Sequence, residues 1–404
     1  MSAPTHVPEA AGGERILYVI ESLGSGGAEQ ALMTLAREAT RRGHTCEIAA
    51  LWPPYTLEER LAGTGARVHH LDLRHRRDAA RAWVRLLRVS RRFRPTVVHA
   101  HLFFAGVYVA ATRAADRRPT RIQTFHNLDY VGDPADSAWQ RARRLLDRAA
   151  MRFGVHGHSA VSASVARHMR AELGLAQAVD VIENGIELAV LDRQAARDAG
   201  AILRDLGVPE AGALLVCPAR LAPQKGHEYL IEAATLLRRE AVDFHLILAG
   251  EGPREAEIVA LLEEAGLRGQ ATLTGYLPHD ALVPLIRRAD AVVLSSLYEG
   301  LPVAVTEALA LGTTVIATRV GGVPEQVEHE RSGLLVPPRD AAALAAAIVR
   351  LLSEPGLKER LEEGARHSRE RADVGRAAAD YERLYNRVRR SRRRRRSRRS
   401  ARRR

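Results

Sequence analysis

Along this chain, short apolar runs alternate with stretches whose apolar residues recur every three to four positions. Ile16 to Ile20, Thr45 to Leu51, Val97 to His101 and Arg121 to Phe125 read as buried strands. Helix-like segments separate them, and that alternation predicts a parallel sheet with helical crossovers. A second series follows at Leu214 to Pro218, Phe244 to Ala249, Ala271 to Thr274, Ala291 to Ser295, Thr314 to Ala317 and Gly333 to Val336. Helical patterns such as His227 to Glu240 and Glu255 to Ala265 join its members. The pattern predicts two doubly wound, Rossmann-like α/β domains, over residues 15–190 and 191–370, with ligands held in the cleft between them. The segment around Gly185 to Gly207 reads as the connection. Residues 371–388, most clearly amphipathic from Ala378 to Val388, read as a helix that packs back toward the first domain.

Composition narrows the class. A chain of 404 residues exceeds what one compact core usually holds, and 46% hydrophobic with 27% charged residues excludes global disorder. Two cysteines, Cys46 and Cys217, are too few for a disulfide framework or a four-ligand zinc site, and they predict a reducing, cytoplasmic setting. Residues 1–14 read as a disordered lead without the basic stretch of a secretion signal, and no run of apolar residues is long enough to span a membrane. The net charge of +13 is concentrated at one end: Arg389 to Arg404 hold twelve arginines and no acid, and the remainder has 49 basic against 48 acidic residues. That segment reads as a disordered polycation attracting nucleic acid and anionic lipid alike. It has no aromatic residue for base stacking, so any nucleic-acid binding through it is expected to be nonspecific.

Three loops carry candidate chemistry. Gly24-Ser-Gly-Gly-Ala-Glu29 follows the first strand and opens a helix, where glycines let a ligand approach the backbone and the helix amides face an anion. It is not a dinucleotide fingerprint, because Glu29 stands where the third glycine belongs. In the second series, Pro218-Ala-Arg-Leu-Ala-Pro-Gln-Lys-Gly226 places Arg220 and Lys225 at the carboxyl edge of a sheet, two cations suited to a diphosphate. Ser295-Ser-Leu-Tyr-Glu-Gly-Leu-Pro-Val-Ala-Val-Thr-Glu307 then joins a strand to a helix, with Pro302 at its expected first position and Gly312 at its stop. The amides of Gly300 and Leu301 fall at the positive end of that helix. Glu299 and Glu307 either complement the dipole or accept hydrogen bonds from vicinal hydroxyls. His99 and His101 share one strand face, a pair that could hold a metal or simply pack in the core.

Taken in order, these segments resemble a known family, the retaining, nucleotide-sugar-dependent glycosyltransferases of family 4 with the GT-B fold. The likeness runs from about residue 15 to 388. It rests on Gly26-Gly-Ala-Glu29, Val97-Val-His-Ala-His101, His126, Asn184-Gly-Ile186, Arg220 with Lys225-Gly226, Leu248-Ala-Gly-Glu-Gly-Pro253, Gly275-Tyr276, the Glu299 and Glu307 pair, and Gly321-Gly-Val-Pro-Glu325. The resemblance implies a hexosyltransferase that moves a sugar from a nucleoside-diphosphate sugar to an acceptor hydroxyl of a glycan, lipid-linked sugar or small molecule, retaining configuration and needing no obligatory cofactor or metal. It further implies that Arg220 and Lys225 neutralise the diphosphate, with amides of Gly300 and Leu301 beside them. Glu307 would hold the ribose, Glu299 the hydroxyls of the transferred sugar, and Gly275 with Tyr276 the base. Gly26 and Gly27 would face the donor phosphates, and His126 the donor sugar near the reacting carbon. Thr96 and Glu187 depart from the family pattern and receive no role. A nucleotide-sugar epimerase, a phosphorylase, or a non-catalytic polyanion binder led by the arginine tail are the alternatives.

Two further segments stand out for charge. Arg74 to Arg94 hold nine arginines and one aspartate with Trp83, Leu86, Leu87 and Phe93 interleaved, and Arg141 to Arg152 repeat the character near Trp139, Leu145 and Leu146. Related enzymes that act on lipid carriers dock through the corresponding domain, so an anionic membrane surface, as on the inner face of the plasma membrane, is an expected partner. An ordinary solvated helix face is the competing reading.

Overall fold

The computed structural model describes residues 13–131 and 138–401. In the first domain the chain runs β1 (Arg15–Ile20), α1 (Gly27–Arg41), β2 (Thr45–Ala50), β3 (Arg67–His70), α2 (Ala79–Phe93), β4 (Val97–His101), α3 (Phe103–Ala111) and β5 (Thr120–Phe125). It continues through α4 (Ala138–Ala149), a π turn at Ala150–Gly154, β6 (Gly157–Ala160), α5 (Ala163–Leu173) and β7 (Val179–Val181). The seven strands are parallel in the order β3-β2-β1-β4-β5-β6-β7, so chain direction across the sheet reverses between β1 and β4. Alternation along β1 divides the core. Ile16, Tyr18 and Ile20 pack with α1 on one face, while Leu17 and Val19 pack with α2 and α3 on the other.

After α6 (Leu188–Ala195) and α7 (Ala199–Asp205), the second domain begins with β8 (Ala213–Pro218), α8 (His227–Arg239), β9 (Phe244–Ala249), α9 (Glu255–Glu264) and β10 (Ala271–Gly275). It then runs α10 (His279–Arg288), β11 (Ala291–Leu294), α11 (Val303–Leu311), β12 (Val315–Thr318), α12 (Val323–Gln326), β13 (Gly333–Val336), α13 (Ala341–Ser353) and α14 (Leu357–Arg366). Its six parallel strands follow the order β10-β9-β8-β11-β12-β13 around one continuous apolar cluster. Both domains are therefore Rossmann-like, as the alternating pattern predicts. Every strand of the second series is present. The first domain has three strands beyond the four expected, and each explains its faint signal: β3 and β7 are short edges, and Gly157-His-Ser-Ala160 of β6 has no β-branched residue.

The chain passes between the domains twice, and the two passages are bonded. Ile186 donates its amide to Ala372 (2.7 Å) and accepts from the amide of Val374 (3.0 Å). From there α15 (Val374–Ala401) returns across the first domain, where Ala377, Ala378, Tyr381, Leu384 and Tyr385 join α1 on its face of the sheet.

Two expectations need correction. Residues 389–404 were expected as a disordered tail, yet α15 continues through the arginines to Ala401; residues 402–404 lie outside the described part. Arginine is a good helix former, the packed first half supplies the nucleus, and the first arginines find partners. Arg389 pairs with Glu14 at 2.5 Å, and Arg392 donates to Thr120 Oγ1 and to the carbonyl of Arg117, both at 2.9 Å. The same contact corrects the disordered lead at its last residues. Glu14 is held by Arg389, Thr96 and His44, whereas residues 1–12 lie outside the described part.

Candidate functional site

The site forms where the carboxyl ends of β8 and β11 meet the N-terminus of α11, and it begins with two loops stitched together by backbone. Leu297 donates its amide to Gln224 O (2.8 Å), Gln224 Nε2 donates to Tyr298 O (2.9 Å), and Ser295 Oγ donates to Lys225 O (3.0 Å). Gly226 lies at φ +57°, and a Cβ there would come within 2.5 Å of Ser295 O. That approach brings Lys225 to Glu299: Lys225 Nζ and Ser296 Oγ both donate to Glu299 Oε1, each at 2.6 Å. Glu299 is buried, and among the described residues no donor is paired with its Oε2.

Arg220 is exposed at the head of the same loop, and its charge opposes the upward shift that burial imposes on Glu29 of the first domain. The loop keeps its shape because Gly250 and Gly252 have no room for a side chain: a Cβ would lie 2.1 Å from Ala219 O and 2.4 Å from Leu221 O. Pro302 precedes the first turn of α11 instead of entering it, while Gly312 ends the helix in the left-handed conformation, as expected. Glu307 is buried one turn into α11 and accepts from His279 Nε2 (2.7 Å), whose Nδ1 meets the side-chain amide of Gln194 (2.8 Å). Thr34, Arg37, Glu187, His279, Val303 and Glu307 border a pocket between the domains. Glu187, left without a role, pairs there with Arg37 and Arg41.

The first domain closes over these groups at Gly300. A Cβ on Gly300 would stand 1.7 Å from the His126 carbonyl oxygen, and Ser162 Oγ donates to Gly300 O at 3.0 Å. Leu301 buries its side chain in the cluster of the first domain that includes Phe103, Phe125 and Val165, which leaves its amide at the start of α11. Gly27 opens α1 directly across the cleft, its Cβ position 3.5 Å from Val303 Cγ2, and Gly26 caps α1 without a side-chain bond. Two helix N-termini thus converge beside two cations, an arrangement that favours a multiply charged anion. Gly275, at φ +66°, and the half-exposed Tyr276 lie apart from this group, at the end of β10 two strands from β8.

His126 is buried; its Nε2 lies 2.9 Å from His101 Nδ1, and its Nδ1 has no protein partner. His99 in turn meets Tyr385 OH and Thr124 Oγ1, each at 2.7 Å. Burial pushes His99 down to about 3 and His126 down to about 4, so these rings are neutral near pH 7. No group of three or more His, Cys, Asp or Glu among the described residues is placed to hold a metal, and His99 and His101 are buried.

Three features were not legible from local pattern. His279 lies 28 residues from its partner Glu307. Glu325, which closes the Gly321-Gly-Val-Pro motif, accepts from the amides of Ala163 (2.6 Å) and Ser164 (2.7 Å) at the start of α5, so it clasps the domains together. Glu21 and Asp129 stand at the carboxyl edge of the first sheet. Burial pushes each up to about 7; Phe104 N–H opposes the shift of Glu21, and Arg143 that of Asp129. Their place just beyond β1 and β5 is the signal that could have found them.

Comparison with known proteins points the same way. Residues 25–190 match the family model described as Glycosyltransferase Family 4, and residues 199–368 match Glycosyl transferases group 1. Alpha-D-kanosaminyltransferase of Streptomyces kanamyceticus is 37% identical over 146 residues, 36% of this chain and 38% of that protein, so the match spans well under half of that relative. D-inositol 3-phosphate glycosyltransferase of Jonesia denitrificans is 30% identical over 317 residues, 72% of each chain. Among solved structures, Anabaena HepE in complex with UDP-glucose superposes with a TM-score of 0.78 at 19% identity, covering 91% of this chain and 99% of that one.

Proposed function

Because this chain belongs to the group 1, family 4 glycosyltransferases and has their GT-B fold, we propose that it transfers a sugar from a nucleoside-diphosphate sugar to an acceptor hydroxyl, with retention of anomeric configuration. The observation that carries the reading is the Lys225 to Glu299 contact at the N-terminus of α11, with Arg220 beside it and the amide end of α1 facing it. Breaking the anomeric C–O bond builds positive charge on the sugar and negative charge on the departing diphosphate. Cations and helix amides fixed before the reaction stabilise that charge without reorganising. Arg220 and Lys225 neutralise the diphosphate with the amides of Gly300 and Leu301. Glu299 Oε2 accepts from a hydroxyl of the transferred sugar, and Glu307, steadied by His279, accepts from the ribose.

The acceptor hydroxyl attacks the anomeric carbon from the face the diphosphate leaves. The new C–O bond forms as the old one breaks, and the hydroxyl proton passes to a phosphate oxygen, so neither a dedicated base nor a metal is needed. His126 Nδ1, buried and unpartnered, is a hydrogen-bonding group for the donor sugar, and Gly275 with Tyr276 borders the base. Glu21 and Asp129 face the acceptor side. The arginines of α15, on the face of the sheet that carries α1, are an accessory polycation, able to hold nucleic acid nonspecifically.

A thermal-shift panel of UDP, GDP and ADP, alone and as sugar conjugates, tests donor binding, since a ligand of the folded state raises its melting temperature. A shift with one nucleotide that Arg220→Ala and Glu307→Gln both abolish supports the assignment. No shift with any nucleotide sugar, or an inverted anomeric signal in the NMR spectrum of the product, overturns it.

A further inference from the structure

The segment Val97-Val-His-Ala-His101 ends in a histidine that the transfer chemistry leaves without a role. β4 is buried along its whole length, and its parallel pairing with β5 sets His101 opposite Thr124. His126 stands just past the end of β5, one strand away, and its Nε2 lies 2.9 Å from His101 Nδ1. Among the described residues neither His101 Nε2 nor His126 Nδ1 has a hydrogen-bond partner. His99 cannot supply one to His101. Its ring centre is 4.2 Å from that of His101, but its Nδ1 is engaged by Tyr385 OH and its Nε2 by Thr124 Oγ1. The rings of Tyr18 and Tyr381 also lie against His101, with centres 5.8 and 6.4 Å away.

A bond between two imidazole nitrogens contains one proton, and two neutral rings can share it in two ways. Burial holds both rings below the ordinary histidine value, His126 at about 4, so both are neutral near pH 7. In the first arrangement His126 donates from Nε2, and His101, accepting at Nδ1, must carry its own proton on Nε2. That N–H has no acceptor and no way to gain one, since His101 is 1% exposed and packed among rings of the first sheet and α15. A buried donor left in this way loses its hydration and gains nothing. In the second arrangement His101 donates from Nδ1, and His126 accepts at Nε2 and carries its proton on Nδ1. His126 lies where the domains meet, so close that a Cβ on Gly300 of the second domain would touch its carbonyl oxygen. An oxygen entering the cleft there can accept from it. Every N–H of the pair can find a partner in the second arrangement and not in the first.

We propose that His101 is a positioning residue that fixes His126 as a hydrogen-bond donor: His101 Nδ1–H holds His126 Nε2, and His126 presents its Nδ1–H to an oxygen of the transferred sugar. The sugar-facing half rests on the reading of the cleft as a nucleotide-sugar site. His101 acts without touching the sugar, from the far side of the His126 ring. The two histidines of β4 share a face and divide two tasks: His99 ties α15 to the sheet through Tyr385, and His101 sets the tautomer of His126.

The test reads the tautomer directly, by NMR of the full chain isotopically labelled at its histidine ring nitrogens, with no ligand added. Near pH 7 the expected spectrum has the His126 proton on Nδ1, its signals being those that His126→Gln removes. His101→Asn, whose amide reaches the place of Nδ1 and still donates, is expected to keep that proton on Nδ1; His101→Val, which offers no donor, is expected to lose the preference. The sugar contact is read with UDP, GDP and ADP and their sugar conjugates. The bare nucleotide should raise the melting temperature equally in wild type and both variants. The extra shift from the attached sugar should fall in His101→Val, as for an about fivefold loss of affinity, and persist in His101→Asn. A wild-type His126 protonated on Nε2 overturns the proposal, whether or not the variants fold. An undiminished sugar increment in His101→Val, or no increment over the bare nucleotide in the wild type, overturns the sugar contact. A chain that no nucleotide shifts refutes the transferase reading instead, and the tautomer still decides the part played by His101.

Discussion

Lys225 Nζ lies 2.6 Å from Glu299 Oε1, so the cation proposed for the diphosphate and the carboxylate proposed for the sugar form one unit before any donor binds. Ser296 Oγ completes it by donating to the same oxygen. Each member is thereby held in place, and under the proposed mechanism little reorganisation would remain when charge develops. Two separately mobile side chains would lose that advantage.

Lys225→Ala is expected to lower kcat/KM by about ten- to a hundredfold, the worth of one charged hydrogen bond to phosphate, and to leave Glu299 without its cation. Arg220→Ala should cost a similar factor with a smaller effect on melting temperature, because Arg220 is exposed. Steady-state kinetics beside thermal melts separate the two. An Arg220→Ala enzyme at wild-type rate would remove that residue from the site.

The bond from His279 to Glu307 carries a different expectation, because His279 acts by holding the carboxylate. His279→Ala should weaken nucleotide binding by roughly fivefold, the cost of one hydrogen bond, and Glu307→Gln by more. His279→Gln, which keeps a donor, should recover part of the loss. Calorimetric titration of the nucleotide reads all three, and equal affinity in His279→Ala and wild type would make the contact incidental.

Much of the framework is legible before any coordinates. The buried strands of the second domain announce themselves as β-rich apolar runs; Arg220, Lys225 and Glu299 sit in loops beyond strand ends, where open α/β folds bind ligands, and Glu307 one turn into the helix that follows. What escapes reading is whatever depends on a remote partner. Glu325 is legible only as the end of a glycine-rich motif, and the amides of Ala163 and Ser164 that take its oxygens are more than 150 residues away. The arginines after Val388 look unstructured because their partners, Glu14 and the carbonyl of Arg117, are more than two hundred residues away. Amphipathic spacing reveals that α4 has two faces but not which one meets the sheet. That depends on Tyr130 and Glu172, which bind its ionic side.

Asp129 supplies a pH dependence whose sign can be worked out. Burial holds its carboxyl at about 7, above the ordinary value of 3.8, so the folded protein keeps a proton that the unfolded chain releases. Its contribution to stability is therefore best at low pH and declines as pH rises from about 4 to about 7, at up to ~1.4 kcal/mol per pH unit. Asp129→Asn removes the ionisation and should melt higher than wild type at pH 8, with a smaller gain at pH 5. Melting curves at the two values check it. A gain independent of pH would mean that Asp129 is ionised throughout.

A tight contact between the domains predicts a steric effect. At Gly300 a methyl group would meet the His126 carbonyl oxygen at 1.7 Å, and that neighbour is backbone of a buried strand end that cannot swing aside. Gly300→Ala must therefore separate the two domains locally, drawing the Ser162 hydroxyl from Gly300 O and shifting His126 from the donor loop. Lys225, Glu299 and Glu307 all belong to the second domain and keep their mutual contacts, so nucleotide affinity should fall by only a few-fold. Transfer needs both domains, and a displacement near 1 Å should lower kcat by about a hundredfold. That split between binding and turnover distinguishes lost closure from a damaged donor site. Parallel loss of both would place the fault in the loop itself.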